Sequence, residues 1–194
     1  VVVLERAAET QGSTVILGLL RFDVSTGRYY NSLFTLRAPG QIYDKRRLVP
    51  FGEFFPVPAN VREWLRLMNL PYIDLTPGAP EQALLQAAGT RLATTICYED
   101  AWGSLDLAAL RAAQLMINVT NDAWFGDSTA PHQHLQIARM RSLEAGRFQI
   151  RVANDGITAI IDARGAVLAR IPQFHPAVLR GSVVPYAGRT PYAQ

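Results

Sequence analysis

Cysteine is nearly absent from this sequence, since Cys97 is the only one in 194 residues. A single cysteine excludes an internal disulfide and leaves the redox compartment undecided. Long apolar runs are also missing, because none approaches the roughly eighteen residues that a membrane-spanning helix requires. The chain has neither an initiator methionine nor the basic segment of a signal peptide, and it begins in apolar sequence, Val1-Val2-Val3-Leu4. We therefore expect it to be a piece of a longer protein.

Charge is scarce and scattered along the chain. Charged residues make up 18% of the sequence and the formal net charge is +3, which is too small to indicate nucleic-acid binding. Metal ligands are sparse as well, because the three histidines have no further ligand at metal-like spacing. We expect no metal, no cofactor and no nucleic-acid partner. The composition, with 49% apolar residues, is typical of a globular protein, and the chain length fits one domain.

The apolar periodicity predicts an α/β fold. The predicted helices cover 4–10, 60–69, 104–114 and 131–147, and the predicted strands cover 13–21, 29–36, 91–97, 115–120, 148–152, 157–161, 166–171 and 179–184. The segment 91–120 reads as a βαβ unit of a sheet flanked by helices. Asn121, Asp122 and Trp124 follow its second strand, on the side of open α/β sheets where functional loops are usual.

Cys97 ends a strand-like apolar run, and a helical pattern follows a few residues later. A strand, a sharp turn and a helix together lift a nucleophile above a sheet, and the helix N-terminus favours the thiolate. The alternative is a buried structural cysteine, which is the commoner fate of a lone free thiol. The local pattern does not choose between the two.

A catalytic cysteine needs a base and a donor for the oxyanion. The candidate histidine bases are His132, His134 and His175, and none is placed by its spacing next to Cys97. The other solution combines a carboxylate with a lysine, and the loop 43–53 supplies both Lys45 and Glu53. Lys45-Arg46-Arg47 is equally compatible with a solvated basic turn. Glu99, two residues after the cysteine, is either catalytic or a structural hydrogen-bond acceptor.

Three motifs carry a resemblance to a known family. They are Tyr43-x-Lys45-x-x-Leu-Val-Pro-Phe-Gly-Glu53, Ile96-Cys97-Tyr98-Glu99 and Asn121-Asp-Ala-Trp-Phe-Gly126, and shorter matches follow at Gln133-His134, Glu144-x-x-Arg147 and Asn154-x-Gly156. Together and in this order they resemble the nitrilase superfamily and, within it, the apolipoprotein N-acyltransferases. The resemblance covers nearly the whole chain.

The resemblance implies an αββα sandwich and a site built on glutamate, lysine and cysteine. Cys97 would be the nucleophile, Lys45 the oxyanion-stabilising lysine, Glu53 the carboxylate that supports it, and Glu99 the residue that shapes the site. The expected substrate-side residues are Trp124, Asn121 and Tyr98. In this family an acyl chain passes from a phospholipid to the thiol as a thioester. The α-amine of a diacylglyceryl-cysteine on an apolipoprotein then accepts it.

One part of the family pattern has no counterpart here. The family's general-base glutamate follows an early strand in a Pro-Glu context, whereas Pro80-Glu81 lies just before the cysteine strand, and Glu5 and Glu9 lie on a helix. We therefore expect residues 1–194 to be an incomplete nitrilase-like catalytic domain, truncated at the N-terminus. The first strand or strands and the membrane domain would be absent.

The resemblance also implies a place in the cell, namely the bacterial inner membrane with the catalytic domain on the periplasmic side. Two other functions remain open. A soluble nitrilase-type amidase would use the same lysine and cysteine to hydrolyse C–N bonds, and a non-catalytic scaffold would use only the fold.

Overall fold

The computed structural model describes residues 2–36, 39–58, 60, 61, 64, 67 and 74–194. These residues form a three-stranded and a six-stranded sheet. Apolar side chains of the two sheets pack against one another, and helices cover the other face of the larger sheet. The arrangement is the αββα sandwich expected from the resemblance.

The smaller sheet follows the first helix, α1 (Val2–Thr10). Its strands are β1 (Ile16–Asp23), β2 (Arg28–Thr35) and β3 (Ile42–Asp44), and each pairs antiparallel with the next. Asp23 closes the β1–β2 turn because its carboxylate accepts the Ser25 N–H at 2.9 Å. The predicted helix and hairpin are thus confirmed.

The larger sheet consists of β4 (Leu85–Ala87), β5 (Thr90–Ile96), β6 (Leu115–Asn121), β7 (Gln149–Asn154), β8 (Thr158–Ile161) and β9 (Val167–Ile171), in that spatial order. The central strands β5, β6 and β7 are parallel, and the other pairs are antiparallel. The parallel strands are connected through α2 (Gly103–Leu110) and α3 (Ala130–Ala145). Their carboxyl ends therefore meet at one edge of the sheet, where Cys97 and the loop from Asn121 lie.

Side chains along β6 point alternately to the core between the sheets and to the helical layer. Leu115 and Ile117 belong to the core between the sheets, whereas Met116 packs with Leu110 on the helical side. Such alternation follows from the two-residue period of a strand. It accounts for the near-continuous apolar run in the sequence, because both faces of the strand are covered.

Gly18 marks a close approach of the two sheets. A Cβ placed on it would lie 3.2 Å from Leu33 Cδ2 and 3.3 Å from Val119 Cγ1. Leu33 itself is fully buried in the inter-sheet core.

Two features of the chain differ from the sequence prediction. The strand predicted over 179–184 is wrong: this part of the tail forms no ladder, although Val183 packs against the inter-sheet core and a backbone bond from Tyr186 N–H to the Gln114 carbonyl lies just beyond it. The apolar residues Leu179, Val183 and Val184 suggested a strand, but a strand also needs a partner edge. Short 3₁₀ segments, Cys97–Ala101 and Ala123–Phe125, replace simple turns after β5 and β6. The helix predicted over 60–69 lies largely outside the described residues.

Among the described helices, none has the length and the apolar composition that crossing a bilayer would take.

Shortening the Leu33 side chain tests how much the inter-sheet core contributes to the free energy of unfolding. We expect Leu33→Ala to lower the free energy of unfolding by about 2–5 kcal/mol, because the cavity lies between two sheets that cannot both collapse onto it. Leu20→Ala on the neighbouring strand, where the side chain is 63% exposed, is the matched control and should change little. Urea titration of both variants measures the difference, and equal losses would contradict this account of the core.

Candidate active site

Cys97 occupies a strained turn at the carboxyl end of β5. Its φ is 54°, in the left-handed region that costs a non-glycine residue about 1–2 kcal/mol. The residue is partly exposed, and it opens the 3₁₀ segment Cys97–Ala101. A strained turn between a strand and a helical segment is the geometry that presents a nucleophile. The sequence prediction of a sharp turn here is confirmed.

Glu99 joins this turn to the loop 43–53, which we call the lysine loop. One carboxylate oxygen accepts the N–H groups of Arg46 at 2.6 Å and Arg47 at 3.0 Å. The other accepts the Ile96 N–H at 2.8 Å and the Tyr43 hydroxyl at 3.0 Å. Glu99 has no exposed surface. Burial raises the pKa of this carboxyl group, although the backbone hydrogen bonds act in the opposite direction.

Lys45, the only lysine in the sequence, is held by Glu53. Its ammonium nitrogen lies 2.8 and 2.7 Å from the two carboxylate oxygens, and the residue is 1% exposed. Glu53 also accepts the Asn31 side-chain amide at 3.0 Å and the Val49 N–H at 2.7 Å. A buried ammonium requires such a partner. The lysine loop is therefore an ordered structure that positions a cation, and the solvated basic turn does not describe Lys45.

The expected substrate-side residues lie on the surface near the carboxyl ends of β5 and β6. Trp124 is 82% exposed and Tyr98 is 48% exposed. Asn121 is also exposed, and its side-chain oxygen accepts the Ala123 N–H and the Asn154 amide, both at 3.2 Å. Within the described ranges, none of the three makes a side-chain hydrogen bond to Lys45, Glu53 or Glu99. They border the site and take no part in its polar core.

A buried polar cluster beneath Cys97 was not predicted. We call it the His134 network, and it consists of Asn118, Asp122, His134 and Arg151. The Arg151 guanidinium donates to the Asn118 side-chain oxygen and to Asp122, both at 2.8 Å. His134 Nδ1 lies 3.1 Å from Asp122 Oδ1. Burial alone would raise the pKa of Asp122, but the His134 hydrogen bond and the Arg151 charge hold it below its ordinary value.

The network ends on the backbone of Cys97. The Cys97 carbonyl lies 3.0 Å from the Asn118 side-chain nitrogen and 3.1 Å from His134 Nε2. His134 therefore meets the nucleophile turn through its backbone, with both ring nitrogens already occupied, and not as a base for the thiol. His132 and His175 are exposed.

A sequence signal for this network existed. Arg151 interrupts an apolar strand, and a charged residue at such a position is almost never buried without a partner. Asn118 likewise stands within the apolar run of β6. Each needed an acceptor or donor from another strand.

Solved structures share the fold of this chain. A carbon-nitrogen hydrolase from Helicobacter pylori G27 has a TM-score of 0.64 at 15% identity, and the match covers 87% of this chain and 61% of that one. A Saccharomyces cerevisiae protein from branch 10 of the nitrilase superfamily has a TM-score of 0.59 at 18% identity, with coverage of 80% and 54%. At these identities the comparison establishes a nitrilase-type fold.

The family is established by sequence. The family model described as carbon-nitrogen hydrolase matches residues 3–192, so the chain belongs to the carbon-nitrogen hydrolase family. It is 49% identical over 190 residues to a protein of Methylococcus capsulatus named apolipoprotein N-acyltransferase. It is 41% identical over 191 residues to a protein of the same name from Nitrosomonas europaea. Each match covers 98% of this chain and 38% of the relative's own length.

Gly156 should be essential to the His134 network. A Cβ at this position would lie 2.7 Å from Asp122 Cβ and 2.8 Å from Asp122 Cγ, which is closer than packing allows. We expect Gly156→Ala to displace Asp122 and to lower the free energy of unfolding by about 1–3 kcal/mol.

Gly40→Ala is the control for this substitution, since a Cβ there would lie 3.5 Å from the Thr35 carbonyl oxygen, in ordinary contact. Thermal unfolding of both variants provides the comparison. A Gly156→Ala protein as stable as the Gly40→Ala protein would show that Asp122 has room to move.

Proposed function

We propose that this chain is the catalytic domain of an N-acyltransferase. It would move an acyl chain from a phospholipid, through a thioester on Cys97, to the α-amine of a diacylglyceryl-cysteine on an apolipoprotein. The observation that carries the proposal is the Glu99 carboxylate, which binds the lysine loop and the Cys97 turn at once. The names of the two relatives described above support this substrate class over other acyl acceptors.

In the first half-reaction the Cys97 thiolate attacks the ester carbonyl of the phospholipid. The carbonyl oxygen becomes negatively charged, and the Lys45 ammonium, oriented by Glu53, would stabilise it. The Tyr98 N–H, next to the nucleophile, would be a second donor, as in other nucleophile turns. The ester C–O bond then breaks, the lysophospholipid leaves as an alcohol with the proton that the thiol had lost to the general base, and a thioester remains.

In the second half-reaction the acceptor amine attacks the thioester. The C–S bond breaks, an amide forms, and the thiol is regenerated when the amine loses its proton.

Neither Glu53 nor Glu99 is suited to be the base for the thiol. Each of the four carboxylate oxygens already accepts two hydrogen bonds from described groups. Removing a proton from Cys97 would require breaking some of them. We therefore assign positioning to both residues, and the general base that the resemblance implies is a different group.

The exposed aromatic residues near the site fit an acyl substrate. Trp124 and Phe51 are 82% and 69% exposed, and Tyr98 and Trp102 are each 48% exposed. Aromatic side chains of this kind provide apolar surface and are favoured at membrane–water interfaces. We propose that this surface meets the phospholipid at the periplasmic side of a bacterial inner membrane, with Asn121 in the same border. Regions outside these 194 residues would supply the membrane attachment.

The assignment of the nucleophile is tested by mass. The protein, expressed with any flanking sequence that its gene encodes and supplied with phospholipid in detergent, should gain one acyl mass at Cys97. Cys97→Ser should abolish turnover, because a hydroxyl is far less acidic than a thiol. Peptide mass spectrometry that places the acyl group elsewhere would overturn the assignment. If water alone takes the acyl group from the thioester although a diacylglyceryl peptide is present, the result would favour the amidase-type hydrolase instead.

Lys45 should act on the transition state. We expect Lys45→Ala to lower kcat by about a hundredfold or more, and Lys45→Arg not to restore it, because a larger planar guanidinium does not fit the buried space that the compact ammonium fills. Arg28→Ala, at the exposed start of β2, is the basic-residue control and should keep normal turnover. Circular dichroism confirms that each variant is folded. A folded Lys45→Ala protein with near-normal kcat would exclude the oxyanion role.

A further inference from the structure

The Cys97 carbonyl has two donors from the sheet and helix beneath it. Asn118, on β6, donates its amide N–H at 3.0 Å, and His134, on α3, approaches with Nε2 at 3.1 Å. Both side chains are buried, at 0% and 4% exposure. Because a carbonyl oxygen can only accept, Nε2 must carry a hydrogen.

The other ring nitrogen of His134 also faces an acceptor. Asp122 Oδ1 lies 3.1 Å from Nδ1, and the same carboxylate receives the Thr120 hydroxyl at 2.9 Å and Arg151 at 2.8 Å. A carboxylate that accepts from all of these groups has no proton to give, so Nδ1 must donate as well. Two donating nitrogens define the imidazolium form of histidine.

Charged and titratable groups surround this imidazolium. Asp122 and Arg151 contact each other directly, and Asp100, at 0% exposure, interacts electrostatically with both His134 and Arg151. Burial raises the pKa of Asp100, which favours its neutral form, whereas Asp122 is the carboxylate that contacts His134 directly. The network is buried, and the His134 Nε2–H group in it is directed at the carbonyl of the peptide between Cys97 and Tyr98.

The position of this peptide determines where the next N–H points. A trans peptide is planar, with its carbonyl and N–H on opposite sides. When the Cys97 carbonyl points down into the His134 network, the Tyr98 N–H points away from it. Tyr98 is the second residue of the 3₁₀ segment, where an N–H has no acceptor within the helix. In the proposed reaction, this donor would be used by the oxyanion.

We propose that His134, as an imidazolium, is a positioning residue for acyl transfer to Cys97. It fixes the peptide between residues 97 and 98 so that the Tyr98 N–H is directed at the developing oxyanion. Its charge also polarises that peptide, which makes the N–H a stronger donor. The inference rests on the proposed function, because it assumes that Cys97 receives an acyl group. His134 itself touches no reacting atom.

Two reactions of the same thiol separate this role from a structural one. Acylation of Cys97 by p-nitrophenyl butyrate passes through an oxyanion, and the released p-nitrophenolate reports its rate. Alkylation by iodoacetamide displaces iodide and forms no oxyanion. We expect His134→Ala to slow acylation by about tenfold or more, with alkylation within about twofold of the wild-type rate. The protein is used with any flanking sequence that its gene encodes.

His134→Gln covers the case in which the alanine variant does not fold. The glutamine amide keeps a neutral donor near the Cys97 carbonyl, so this variant should acylate at a rate between those of the wild type and His134→Ala. His132→Ala is the matched control on the same helix, since His132 is exposed, and both of its rates should be unchanged.

Three results would contradict the proposals, and they can be told apart. A folded His134→Ala or His134→Gln protein that acylates at the wild-type rate overturns the positioning role. Equal losses in acylation and alkylation overturn it too, because they show a general effect on the thiol. Wild-type protein that is alkylated at Cys97 but never acylated overturns the proposed function itself.

Nuclear magnetic resonance tests the charge without any reaction. In protein labelled with ¹⁵N-histidine, long-range ¹H–¹⁵N correlations distinguish an imidazolium from either neutral tautomer. From the two hydrogen bonds that the ring donates, we expect both His134 nitrogens to have the imidazolium signature. A neutral tautomer would overturn the inference whatever the rates are.

Discussion

The site depends on one buried carboxylate, that of Glu99. It binds main-chain N–H groups on both sides of the space between the sheets: those of Arg46 and Arg47 in the lysine loop and that of Ile96 beside the nucleophile. Lys45 and Cys97 lie on loops from different sheets, and Glu99 joins the two loops by hydrogen bonds. Catalytic geometry of this kind needs placement within fractions of an ångström, and a single acceptor with four donors provides it.

Buried charges complete this construction at some energetic cost. Lys45 with Glu53, and Arg151 with Asp122, are pairs whose desolvation offsets much of their attraction, so they contribute little net stability. What these ion pairs provide is a fixed geometry of the side chains. Each pair accepts only one arrangement of its hydrogen bonds, and a pair broken by substitution leaves an uncompensated charge in the interior.

The sequence best predicted the features that depend on residues close together in the chain. The turn at Cys97 follows from residues close together in the chain, and the resemblance implied that Glu53 supports Lys45 within one loop. For Glu99 the sequence left a catalytic role and a structural acceptor open, and its contacts to Arg46 and Arg47 span more than fifty residues. The link between His134 and Cys97 spans 37 residues and ends on a carbonyl oxygen, which every residue has. No residue pattern marks such a contact. The error at 179–184 is similar in kind, because a local apolar pattern cannot report whether a neighbouring strand edge is available.

The way Glu99 binds the lysine loop determines which substitutions the loop can accept. Its contacts at positions 46 and 47 are to N–H groups, and the side chain of Arg47 is exposed. Every amino acid except proline brings the same donor to these positions. Replacing Arg47 by any residue except proline would therefore keep its hydrogen bond to Glu99, so the surface of the lysine loop can change at this position while the geometry beneath it is kept.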